Sequence, residues 1–133
     1  MPEGLSQNYL DKLKRCIDHH EVEYLSHQLN ELHSEDIAYL LKYYKQDDAR
    51  YLFSLLSREQ ASKVLLETAE DQRRELLAGF TAKEIVNRFI EEMNSDDAAD
   101  FTNELPEEIQ TDVINYLNKR RKEADEQVLD LIE

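Results

Sequence analysis

Glycine and proline are nearly absent from this chain, with two of each in 133 residues, and tryptophan is missing altogether. Little material remains for β-turns or flexible linkers, which favours an all-α fold. There is a single cysteine, Cys16, so no intrachain disulfide can form and the chain fits a reducing compartment. Cys16 stands at helical spacing with Leu13 and Ile17, as a small buried hydrophobe. Basic residues are also scarce: 16 Lys and Arg face 30 Asp and Glu, for a formal charge of −14. Such a field disfavours nucleic acid, whose phosphates need a basic face, and an anionic membrane surface. Cations or basic protein surfaces are its natural partners. The longest apolar run, Ile37 to Leu41, falls far short of the roughly 20 residues that span a bilayer. The start, MPEGLSQNYL, has neither the basic opening nor the apolar core of a signal peptide. The expectation is a cytosolic, soluble chain whose membrane part, if any, lies outside these residues.

What the chain does have is a twelve-residue rhythm. Tyr44, Leu56, Thr68, Phe80, Met93, Leu105 and Leu117 follow one another at steps of twelve, with one of thirteen. A second column, Leu41, Leu52, Val64, Leu76, Arg88, Phe101 and Val113, keeps nearly the same step and is apolar except at Arg88. Twelve residues make two to three helical turns and a tight connection. Units this short cannot bury their own apolar faces, so they stack. The pattern predicts an all-α, right-handed superhelix (α-solenoid) of about nine to ten short helices, forming one domain over residues 1–133. Helices are expected near 6–18, 20–31, 35–44, 47–56, 59–67, 70–78, 82–92, 96–104, 107–120 and 122–132. The last two can merge, since nothing between Asn118 and Glu123 stops a helix.

Start signals fall at a common phase. Ser57 with Gln60 and Thr81 with Glu84 fit capping boxes, Ser34 or His33 and Asn94 or Ser95 open further units, and Pro106 suits a first turn. Gly79 falls where a left-handed terminator is expected. The core is assigned to the stripe Ile37, Leu40, Leu41 and Tyr44 and its continuation through Leu52, Phe53, Leu55, Leu56, Val64, Leu65, Leu76, Leu77, Ile85, Phe89, Phe101, Leu105, Ile109, Val113, Ile114 and Leu117. Tyr39, Tyr43 and Tyr51 are read as half-exposed rims.

Charge is concentrated in one stretch. Between Phe89 and Asn118 there is no Lys or Arg, yet nine acids: Glu91, Glu92, Asp96, Asp97, Asp100, Glu104, Glu107, Glu108 and Asp112. On a helix opening near Ser95, Asp96 and Asp100 share a face, and Asp97 and Glu104 lie on a neighbouring stripe. Like charges four apart repel by a few tenths of a kcal/mol, so the face either serves solubility or awaits a cation. Mg²⁺ suits it, because that ion takes oxygen ligands, often one or two carboxylates, and keeps several waters. No EF-hand loop is present. His19, His20, His27 and His33 lack partners at zinc-site spacing. Lys119–Lys122 is read as a solvated basic segment pairing with Glu123 and Asp125. A glycine-rich phosphate loop, a nucleophile elbow and an HExxH helix are all missing, so an enzyme is not expected.

Two segments, ELHSEDIAYLL (Glu31 to Leu41) and EEMNSDDAADFTNELPEE (Glu91 to Glu108), resemble the cytosolic N-terminal domain of MgtE-type bacterial magnesium transporters. The resemblance covers roughly residues 20 to 120, and the DDAAD unit with its upstream EEM is its most specific part. Similar helical repeats occur in a flagellar motor switch protein. The resemblance implies a regulatory domain that precedes a pair of CBS domains and a transmembrane pore. It further implies a homodimeric transporter with this domain at the cytoplasmic face of the membrane. Mg²⁺ held between the acidic surfaces of the N and CBS domains would favour a closed arrangement. Carried over residue by residue, Asp96, Asp97 and Asp100 match the family's acidic unit, with Asp96 the leading ligand. Another family acid falls at Lys63, flanked by Ser62 and Val64, which leaves Glu59 or Glu67 as the nearest carboxylates for a second site. The expectation is therefore a Mg²⁺-sensing domain, with an acidic scaffold for a basic protein surface as the alternative.

Overall fold

A computed structural model describes residues 5–132, with side chains through residue 126, and every regular element among the described residues is helical. In chain order these are α1 (Gln7–Asp18), α2 (Val22–Glu31), α3 (Ser34–Tyr43), α4 (Gln46–Ser54), α5 (Arg58–Leu66), α6 (Glu70–Leu77), α7 (Ala82–Arg88), a 3-10 turn (Ile90–Glu92), α8 (Ser95–Asn103) and α9 (Glu107–Ile132). From α2 onward the helices begin at Val22, Ser34, Gln46, Arg58, Glu70, Ala82, Ser95 and Glu107. The rhythm in the sequence is thus a rhythm of helix starts, and its one longer step falls between α7 and α8.

The starts share a conformation. His33, Lys45, Ser57, Thr81 and Asn94 all precede a helix with extended backbone, φ between −64° and −77° and ψ between 155° and 167°. Asn94, Thr81 and Ser57 each accept a hydrogen bond from the amide three residues on, whereas His33 and Lys45 provide no side-chain cap. Only one of the two expected capping boxes is reciprocal. Thr81 Oγ1 accepts from Glu84 N–H at 3.1 Å and the Glu84 carboxylate accepts from Thr81 N–H at 3.0 Å. At Ser57 the return bond is not made, because Gln60 instead donates its Nε2 to the Leu29 carbonyl at 2.8 Å, tying α5 to the end of α2. Gly79, with φ at 95°, supplies the left-handed residue after α6. Pro106 lies just before α9 rather than inside its first turn, and its carbonyl accepts from Gln110 N–H at 2.8 Å.

Two expected boundaries change. The segment 82–92 breaks at Phe89, whose φ of −119° leaves the helical range, and the next three residues tighten into the 3-10 turn. The segments 107–120 and 122–132 form one helix of 26 residues, as good helix formers across Lys119–Glu123 allow.

The chain divides into two compact units, Met1–Leu76 and Leu77–Glu133. In the first, α1 packs on α2 and α4, and α3 packs on α4 and α5. Leu10, Leu25, Ile37, Leu40, Leu52, Val64 and Leu65 are buried at its centre, with Cys16 among the buried apolar residues. Tyr44 is core, and its buried hydroxyl donates to the Leu10 carbonyl at 2.7 Å. Tyr39 and Tyr51 are half-buried and Tyr43 is exposed. In the second unit α9 packs against α7 and α8, and Ile85, Val86, Phe101 and Val113 are buried. Ile114, expected in the core, is 39% exposed, and Leu55, Leu56, Ile109 and Leu117 are half-buried. Ile114 occupies the column of Leu41, Phe53, Leu65, Leu77 and Phe89, all of them buried, but on α9 it does not share their burial.

Hydrogen bonds from the Thr81 amide and hydroxyl hold the Glu84 carboxyl below its ordinary range. A lowered value means that this stabilisation is present above the unfolded-state pKa and is lost as pH falls through the folded one. We expect Thr81→Ala to destabilise the second unit by about 1 kcal/mol at neutral pH. In urea titrations the difference should shrink at a pH below the Glu84 transition. An unchanged difference there would mean that the hydroxyl cap alone matters.

Candidate functional site

The acidic stretch becomes the 3-10 turn, α8 and the opening of α9. α8 is a short helix held at both ends. At its start, the Asn94 side chain accepts from Asp97 N–H at 2.8 Å. At its end, the Gln110 amide of α9 donates to the Thr102 and Asn103 carbonyls at 3.0 and 3.1 Å, closing groups a helix terminus leaves open. Thr102 Oγ1 donates back to the Ala98 carbonyl at 2.7 Å. Phe101 is the one buried residue of the helix itself. The scaffold is fixed while its polar face stays outside.

Asp96 and Asp100 are exposed and Asp97 is half-exposed. None of the three makes an ion pair among the described residues. Asp96 and Asp97 lie in the first turn of α8, where the positive end of the helix dipole favours carboxylates. That placement partly offsets the repulsion between Asp96 and Asp100. Not all of the stretch is uncompensated, however. Arg120, on α9, pairs through Nη1 with Glu91 Oε1, and the pairing strengthens the guanidinium's hold on its proton. The expected pairing of the basic segment with Glu123 and Asp125 is thus replaced, at Arg120, by a contact reaching back 29 residues. Nothing local in the sequence signals it, because it depends on how α9 crosses the 3-10 turn.

The carboxylates suit Mg²⁺ in chemistry, being hard oxygen donors on a wet surface. Among the described residues no group of three or more acids, histidines or cysteines converges on a point that could hold a metal ion. Asp96, Asp97 and Asp100 therefore offer one or two oxygens from a convex helix, and the rest of any coordination shell is left to water or to another surface. At the position of the other family acid, Lys63 is exposed and its Nζ bonds Glu59 at 3.2 Å. Glu59 is thereby engaged, while Glu67 caps the end of α5 without an ion pair. The histidines are dispersed: His20 stacks on Tyr51 at 4.9 Å between centroids, and His27 lies 3.4 Å from Glu31.

Sequence reasoning missed the residues that hold the site in place. Gln110 carries no motif, and its role follows only from α9 lying against the end of α8. Its repeat position could have drawn notice, since it stands where Ile37, Ala49, Ala61 and Ile85 face inward. No helix among the described residues is long and apolar enough to cross a membrane. No curated protein matches the chain. The family described as the MgtE intracellular N domain matches residues 32–131, which span α3 to α9 and include the whole acidic stretch. The chain therefore belongs to the MgtE intracellular N domain family, the all-helical cytosolic N-terminal domain of magnesium transporters.

Proposed function

We propose that this domain is a Mg²⁺-responsive regulator of a transporter, acting through the exposed carboxylates of α8. The observation that carries the reading is that Asp96, Asp97 and Asp100 stand unpaired on a helix pinned at both ends. Membership of a transporter domain family, with no enzymatic activity associated with it, supports regulation rather than catalysis. The missing ligands would come from an acidic surface of adjoining CBS domains, with the transmembrane domain beyond them and the assembly a homodimer at the cytoplasmic face of the membrane. A bound Mg²⁺ supplies two positive charges to the junction. Asp96 and Asp100 would hold it through their carboxylate oxygens, directly or through water, and its charge would offset their mutual repulsion. When the ion is scarce, the same carboxylates repel the acidic surface opposite, and the two domains part. A local charge change thus biases a two-state arrangement.

The test is a Mg²⁺ titration followed by amide chemical shifts, with Ca²⁺ and with NaCl at matched ionic strength. Saturable shifts confined to residues 94–104 are expected, with a dissociation constant on the order of millimolar for so few ligands. Asp96→Asn and Asp100→Asn should each weaken the response severalfold. Stability should barely change, because a first-turn carboxylate gains up to about 1 kcal/mol from the dipole while losing a few tenths to its neighbour. Diffuse shifts that NaCl reproduces would remove α8 from the reading. A loss of several kcal/mol on Asp96→Asn would make that residue structural.

A further inference from the structure

Along α9 runs a stripe whose charges are ordered about a single apolar side chain. Ile114 is 39% exposed, and no other large apolar side chain described in the second unit is as open to solvent. Two helical turns away on either side stand Glu107 and Arg121, on nearly the same line, because residues seven apart drift by only about 20° around a helix. Both are exposed, and neither makes an ion pair among the described residues. Thr111 and Asn118, small polar side chains that are also exposed, fill the intervals. The stripe therefore reads acid, apolar centre, base, with equal spacing on the two sides.

That order is complementary to itself in one orientation. A two-fold axis at Ile114 that sets two α9 helices antiparallel places position 107 opposite position 121, since both are equally far from 114. Ile114 then meets its own equivalent, and Glu107 of each copy meets Arg121 of the other. Parallel helices would instead set Glu107 on Glu107 and Arg121 on Arg121, like charge against like. Equal spacing about the centre is what an isologous contact requires and a heterologous one does not. The neighbouring Arg120 is engaged by Glu91 within its own unit, so Arg121 is the guanidinium left for a second copy. Residues 118–126 of α9 have no buried side chain, which leaves the helix open along its length on that side.

We infer that α9 is an interface between two copies of this chain, paired antiparallel about Ile114 with Glu107 of each against Arg121 of the other. One apolar side chain per copy flanked by exposed ion pairs makes a small contact, so the association is weak and reversible. The charge of −14 on each copy opposes it at long range, and salt that screens this field beyond about 8 Å leaves the short pairs in place. The interface uses none of the α8 carboxylates and stands whether or not they bind Mg²⁺.

Sedimentation equilibrium of the intact chain, at about 0.15 M NaCl with EDTA so that no divalent ion bridges acids, tests this. A monomer–dimer equilibrium is expected as concentration rises toward about 1 mM. Glu107→Arg and Arg121→Glu each turn both ion pairs repulsive, and each should weaken dimerisation about tenfold. An equimolar mixture of the two variants should restore it, because a dimer with one of each has attractive charges at both pairs. Misfolded chains could not produce that rescue. Ile114→Asn should weaken the dimer at least about fivefold, with far-UV circular dichroism unchanged because the side chain lies outside the core. A chain that stays monomeric throughout overturns the inference and leaves the stripe to a different partner. So does a dimer indifferent to both charge reversals, which would place the contact elsewhere, or a mixture that fails to recover, which would exclude the antiparallel register.

Discussion

Replacing Phe101 with alanine should destabilise the second unit by about 3–5 kcal/mol, the usual result of emptying a well-packed aromatic site. A typical domain has only about 5–15 kcal/mol in total, so the variant would sit near the margin of folding. The expectation is larger than for most core positions because of how α8 is built. Its nine residues include one buried side chain, Phe101, which is 1% exposed. The helix otherwise carries only polar residues and two alanines outside the core, and is held by the Asn94 cap and the Gln110 amide. Hydrogen bonds at the ends of a short helix contribute about 1 kcal/mol each and cannot hold it without the apolar contact. α8 should therefore lose amide exchange protection before the rest of the unit.

This gives the variant a functional meaning. All three aspartates remain in Phe101→Ala, and the net charge is unchanged. If Mg²⁺ responds to the carboxylates as α8 arranges them, the saturable shifts at residues 94–104 should disappear along with the helix. If they persist, the ion senses local charge density and the arrangement is irrelevant. Phe101→Leu, which keeps most of the apolar volume, should fall between parent and alanine variant in urea midpoint. A loss below about 1 kcal/mol for the alanine variant would show that α8 is held by its ends after all.

What could be read from the sequence divides along physical lines. The helices from α2 on were legible because each begins at the same phase of a twelve-residue unit. Most of the core followed from the stripe they share. Exposed acids such as Asp96 and Asp100 were legible as a pattern because they are neighbours on one helix. Contacts between elements were another matter. The Glu91–Arg120 pair spans 29 residues, and the Tyr44 hydroxyl reaches back 34 residues to the Leu10 carbonyl. Those juxtapositions depend on crossing geometry, which periodicity does not encode. Gln60 is the clearest local failure, since a side chain placed to accept from the Ser57 amide in a capping box instead donates its Nε2 to the Leu29 carbonyl.

Arg73 shows both sides of this and carries the second large expectation. It sits in the polar run Asp71–Glu75, which reads as a solvated helix face, yet it is only 5% exposed. Its Nε donates to the Leu65 carbonyl at 2.9 Å, an acceptor it shares with Thr68 Oγ1 at 2.7 Å. The repeat could have given it away. Counting in twelves places Arg73 in the column Ile37, Ala49, Ala61 and Ile85, all buried. A column defined by hydrophobicity skips an arginine, whereas one defined by helix phase does not. The guanidinium donates to the Leu65 carbonyl in the last turn of α5, where a positive charge is also favoured by the helix dipole. Arg73→Ala should therefore cost about 2–4 kcal/mol in urea unfolding of the first unit, by removing a buried charged donor together with its aliphatic packing. Arg73→Met separates the two terms: it restores most of the apolar volume and leaves the Leu65 carbonyl to Thr68. If the methionine variant recovers most of the loss, packing is what Arg73 contributes at this column. If it does not, the contribution is its hydrogen bond, and Thr68→Val in the parent should then cost less than Arg73→Met.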